Sequence, residues 1–148
     1  MVFLLFISIT VLNAQDSKSI MEKRSGDFFT AINSDDEKAW IKFIEANFSP
    51  SLIKKPMKKQ VQISDKDNVS SSGGSASEEG TVEQKAKMFR QLHGDFANGK
   101  ILSIKTEENK ATMTVESSDG LKGKFNFGFE KETMLIEALG IEIVQDSN

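Results

Sequence analysis

The sequence predicts an α+β domain, with N-terminal helices packed on one face of a curved, four-stranded antiparallel sheet. Two observations lead there. Apolar residues recur at helical spacings up to about residue 57 and again from residue 81, then change to strict alternation after Asn98-Gly99. The helical segments come first and the alternating ones follow with short turns between them. That order gives segregated layers rather than βαβ units.

Residues 16–32 read as the first helix, because Ile20, Met21, Phe28, Phe29 and Ile32 recur at four- and seven-residue spacings and form one face. Asn33-Ser34 breaks it. A second helix over residues 35–48 carries Trp40, Ile41, Ile44 and Phe48 on one side. Ser49-Pro50 opens a third, shorter helix, since Ser is a good N-cap and Pro suits the first helical position. That helix is expected to run through Leu52, Ile53 and Met57, with Pro56 opposing its second half.

Residues 62–80 are dominated by Ser, Gly and acids, and are expected to form a disordered loop interrupting one domain that spans 16–148. Thr81 with Gln84 three residues on has the capping-box spacing for a fourth helix. Val82, Ala86, Phe89 and Leu92 form its buried stripe and Gly94 its stop. Leu102 and Ile104 mark one face of the first strand, and Ala111, Met113 and Val115 one face of the second. Ser118-Asp119-Gly120 is a turn signal. Leu121, Gly123, Phe125, Phe127 and Phe129 face one way in the third strand, and Leu139, Ile141 and Ile143 mark a fourth over residues 135–144.

Composition narrows the classes of function. With 148 residues the chain can bury a sizeable core, and its 11 Phe beside one Trp and no Tyr make that core phenylalanine-rich. A net charge of −3 carries no nucleic-acid footprint. Residues 1–15 are uncharged and nearly all apolar up to Leu12. This run is shorter than the roughly 20 residues a membrane helix needs. It reads as a signal peptide ending near Ala14, which implies a secreted or bacterial periplasmic protein with no integral membrane segment in its mature form. The sequence has no Cys, which excludes disulfides, thiolate metal sites and a cysteine nucleophile.

The motifs that carry chemistry are few. Ser34-Asp35-Asp36-Glu37 places three acids beside Trp40, but it has the S-x-x-E form of a capping box and is expected to start the second helix. Successive helical acids point about 100° apart and do not converge on one cleft. His93, the only histidine, falls in the last turn of a helix, where it meets solvent or unpaired carbonyls. Ser51-x-x-Lys54 matches a serine-nucleophile motif whose companion motifs are missing. Asp65-Lys66-Asp67-Asn68 fails the calcium-loop register, with Ser70 and Ala76 where Gly and Glu are needed. Lys54, Lys55, Lys58 and Lys59 form a basic cluster that reads as a solvated helix end.

The segment F-x-x-A-x-N-S-x-D, formed by Phe28, Ala31, Asn33, Ser34 and Asp36, resembles the first helix–turn–helix of NTF2-like domains. The likeness is to the accessory domains of bacterial penicillin-binding-type serine hydrolases and tail-specific peptidases. Residues 90–96, RQLHGDF, resemble the end of the third family helix, and residues 136–141, IEALGI, the closing strand. Asp35 departs from the glycine common in that turn, and the Ser-rich loop replaces the family's early strand. The resemblance implies a cone-shaped fold with a pocket between helices and a curved sheet. Enzymes of this superfamily use pocket Asp, His or Tyr, whereas this chain has no Tyr and a single His.

These readings lead to a non-catalytic domain that binds a small apolar ligand or a protein partner, without a cofactor, a metal or nucleic acid. The expected pocket residues are Trp40, Phe89, Met113, Phe125, Phe127 and Phe129. A homodimer is compatible with the exposed sheet. The rival reading is a small isomerase- or cyclase-like enzyme using a pocket carboxylate, against which the strand phasing sets Glu116, Glu130 and Glu142 on the polar face.

Overall fold

The computed structural model describes residues 14–56 and 79–144. Residues 1–13 of the leader expected over 1–15, the Ser/Gly-rich loop up to residue 78 and the expected continuation of the third helix to Met57 lie outside the described residues. The elements are α1 (Ala14–Ile32), α2 (Glu37–Asn47), α3 (Pro50–Lys54), α4 (Val82–Phe96), β1 (Lys100–Glu107), β2 (Lys110–Glu116), β3 (Lys122–Phe129) and β4 (Ile136–Val144). The strands form one antiparallel meander in the order β1-β2-β3-β4, with the helices on one face. This is the α+β architecture that the change of period predicts.

Alternation along the strands sets the two faces. Ala111, Met113 and Val115 on β2 and Gly123, Phe125, Phe127 and Phe129 on β3 are buried toward the helices. The opposite face is polar: Thr112 donates to Asn126 at 3.1 Å, and Asn126 donates to Glu142 at 3.2 Å across three strands. The first strand departs from its expected phase. A register shift between Ile101 and Ser103 leaves Leu102 46% exposed, while Ile104 stays paired with Met113 on the helix side. A bulge places two residues against one, so the alternation resets there.

The core is built on phenylalanine. Phe28 of α1 lies 5.9 Å from Phe43, 5.1 Å from Phe89, 5.6 Å from Phe125 and 5.2 Å from Phe127, ring centre to ring centre. Three of these four pairs are edge-to-face, the arrangement favoured by the ring quadrupole. Gly123 makes room for the same cluster, because a Cβ there would lie 2.4 Å from the Phe96 ring.

The turn before α2 differs from the capping box expected at Ser34. Ser34 accepts from the Asp36 amide at 3.2 Å, and Asp36 is the N-cap, accepting from the Lys38 amide at 2.9 Å. The Ser34 amide is already bonded to Ala31 O in the turn that ends α1, so the helix starts two residues later than expected. Asp caps as well as Ser. The Glu37 carboxylate, released from the box, pairs with Arg90 of α4 at 2.7 Å. The capping box at Thr81 and Gln84 is present, with both bonds at 3.3 Å.

Phe28→Ala is expected to cost about 3–5 kcal/mol of unfolding free energy, and Asp36→Ala about 1 kcal/mol. Urea unfolding of the two variants checks both. Similar losses would show that the aromatic joint is no more important than a helix cap.

Candidate functional site

A groove with a volume of about 720 Å³ opens where α3 and α4 meet the β3–β4 ribbon. Three local features hold its walls. Phe48 bridges to Ile136, with the Ser49 amide donating to Ile136 O at 2.8 Å, which ties the start of α3 to the start of β4. Ser49 is buried and caps α3, accepting from the Leu52 amide at 3.2 Å. Gly80 packs directly on the end of α3: its amide donates to Lys54 O at 2.8 Å, and a Cβ there would lie 2.4 Å from Ile53 O. No larger residue allows that approach, which sets α4 against α3.

The helix-facing wall is apolar: Phe48, Leu52, Met88, Phe127 and Leu139, with Pro56 at the rim. By register Phe127 and Leu139 are a cross-strand pair on the core face, whereas Asn126, Gly128, Ala138 and Gly140 lie on the other face of the ribbon. The lining therefore comes from both faces of the β3–β4 ribbon, with Lys110 on the outer side opposite Gly128. Among the described residues three lysines, Lys55, Lys85 and Lys110, line the groove, and no Asp or Glu does.

Lys85 is the unusual member. It stands one turn into α4 and is only 4% exposed. Its ammonium donates to Lys55 O at 2.6 Å, and among the described residues no carboxylate lies within ion-pair distance of it. Burial pushes the Lys85 pKa below the ordinary lysine value, and the charge of Lys55 adds to that shift.

All six residues expected to line a pocket belong to the buried core cluster. Phe89, Met113, Phe125, Phe127 and Phe129 are buried together in the core. Trp40 is also buried, but its indole N–H donates to Ser34 O at 3.0 Å and its ring faces His93 at 5.9 Å. Only Phe127 of the six reaches the groove. His93 meets an unpaired helix-end carbonyl, though that of another helix. Its Nδ1 donates to Ile32 O at 2.7 Å, and its Nε2 lies 3.1 Å from Asp35, whose side chain is 98% exposed. That pairing ties α4 to the end of α1 at the surface and forms no buried acid–base pair.

Sequence reading missed Lys85, although the pattern held a signal. Lys85 sits three residues after Val82 and four before Phe89, inside the apolar stripe of α4 rather than on its charged side. Phe48, Leu52 and Leu139 were each legible as apolar face residues, whereas Met88 lies outside the stripe read for the fourth helix, and the convergence of the four depends on the tertiary Phe48–Ile136 bridge. Among the described residues no group of three or more His, Cys, Asp or Glu could hold a metal ion, and no helix is long and apolar enough to cross a membrane.

Among solved structures, the chain is similar to a candidate isomerase of the SnoaL-like family from Agrobacterium tumefaciens str. C58. The TM-score is 0.55 at 11% identity, over 86% of this chain and 99% of that one. No family model and no curated protein matches the sequence. At that identity the likeness is one of fold, and it agrees with the element order and sheet: the chain has the NTF2-like α+β fold.

Titration of Lys85 provides a test of its burial. Its folded pKa is lowered, so between that value and the unfolded value of about 10.4 the unfolded chain binds more protons. Stability contributed by this group therefore rises with pH across that window and is lowest below it. Lys85→Met removes the penalty, so the variant's stability relative to wild type is expected to be greatest at pH 7 and to shrink toward pH 10. Urea unfolding of both proteins at the two pH values measures this, and a pH-independent difference would show that the amine is not held in a poorly solvated site.

Proposed function

We propose that this chain is a non-catalytic binding domain of NTF2-like fold, and that it holds a small apolar ligand in the groove between α3, α4 and the β3–β4 ribbon. The observation that supports this reading is the groove's lining among the described residues: five apolar side chains on the helix-facing wall and no carboxylate. Sites for small molecules are concave and mostly apolar, with few polar groups to fix orientation. The phenylalanine cluster fills the space beneath β2 and β3, so the groove beside β4 is where a ligand finds apolar surface.

An isomerase reading, which the structural neighbour's description raises, would require an acid or base presented to the ligand. Glu116 and Glu142 lie on the polar face of the sheet, with Glu116 paired to Lys100 at 2.8 Å. Glu130, just beyond β3, accepts from Thr133. None of the three lines the groove. The likeness of residues 28–36 to accessory domains of serine hydrolases favours binding over catalysis, and the uncharged apolar run at residues 1–15 favours a secreted or periplasmic setting.

Leu139→Trp narrows the groove from β4, at the cross-strand partner of Phe127. Decanol, titrated into the wild-type protein and followed by ¹H–¹³C methyl shifts, is expected to bind. The variant is expected to bind about tenfold more weakly, a loss of about 1.4 kcal/mol, with its fold checked by circular dichroism. Equal binding by both proteins would place the ligand elsewhere.

A further inference from the structure

The geometry points to an anionic head group on the groove's ligand, held by Lys85. This inference rests on the apolar-groove reading above and names the class of ligand it takes: an amphiphile with one apolar tail and one carboxylate-like head.

Lys85 is 4% exposed, and among the described residues it has no acidic partner. Lysine is rarely buried to this degree unless it is paired. An ammonium carries three donors. One goes to Lys55 O at 2.6 Å, which leaves two for a group entering the groove that Lys85 lines. The side chain of Lys55, on the same rim, adds a second positive charge. Among the described residues no Asp or Glu lines the groove to neutralise either one. The site therefore holds a cost that an anion would relieve, since opposite charges in a poorly solvated place form the stronger, charge-assisted hydrogen bonds.

The rest of the groove fixes what the anion is attached to. Met88 lies three residues beyond Lys85 on α4, so the two are neighbours on one helix face. Met88 and Leu139 are only partly buried, and each is apolar and within the groove. An ion such as inorganic phosphate would satisfy the amine and leave this surface bare. A tail bound to the head covers both. A cationic head would meet two ammonium groups, and a neutral head would leave Lys85 unpaired.

Titrating decanoate, decanol and decyltrimethylammonium into the full-length protein by calorimetry tests the assignment. Decanol is more apolar than decanoate, so hydrophobicity alone ranks it first. The expected result is the reverse. Decanoate should bind about tenfold or more tighter than decanol, the worth of a charge-assisted hydrogen bond, and the cation should bind most weakly. In Lys85→Met, whose folding is checked by urea unfolding, the preference for decanoate over decanol should fall to within about twofold. Equal binding of decanoate and decanol to wild type, or a preference that survives Lys85→Met, overturns the head-group assignment and leaves the apolar groove standing. Failure of all three probes to bind overturns both.

Discussion

Phe28 projects from α1 into the space between the other helices and the sheet, and meets four rings there: Phe43 of α2, Phe89 of α4, and Phe125 and Phe127 of β3. Every other feature is arranged around that contact. Aromatic rings bury a large area each, and edge-to-face pairs add directional preference, so one cluster fixes the distance and the tilt of three helices relative to one strand. Gly123, which leaves room for Phe96 against Phe125, extends the cluster along β3. Occupation of the cone by protein side chains follows from the same geometry. Phenylalanine occupies the space between the helices and β3, and the groove's apolar surface lies toward the sheet's last strand.

That placement explains the character of β4. Its helix-facing residues become less buried along the strand, from Ile136 at its start to Ile143, which is 47% exposed. The short α3 covers only the first part, through the Phe48–Ile136 bridge. Between the bridge and the end of α3 lies the groove, and Gly80 brings α4 close enough for Lys85 to form part of its wall. Among the described residues Lys85 has no acidic partner there, and a buried ammonium without one lowers stability.

Much of this was legible in the sequence, and the reasons for the rest are specific. The switch from helical to alternating period located all four strands, because the core face of a meander is written directly as Ala111-Met113-Val115 and Phe125-Phe127-Phe129. Helix starts at Ser49 and Thr81 were legible because their caps are local. The start of α2 was misplaced by two residues, since Ser34 and Asp36 are both competent caps and only the preceding Ser34–Ala31 bond chooses between them. The pocket residues were the weakest reading. Alternation shows that Phe125 and Phe129 face inward, but not whether an inward residue meets another side chain or open space. That depends on ring packing from α1 and α2, far away in sequence.

In the proposed arrangement the Phe28 cluster fills the space between the helices and the sheet, and the ligand binds beside β4. Intermolecular nuclear Overhauser contacts between bound decanol and the protein's methyl and aromatic protons test it most directly. Contacts to Met88, Leu139 and Phe127, with none to Met113 or Phe125, are the predicted result. Strong contacts to Met113 and Phe125 would mean that the aromatic core opens to admit the ligand, and would contradict it.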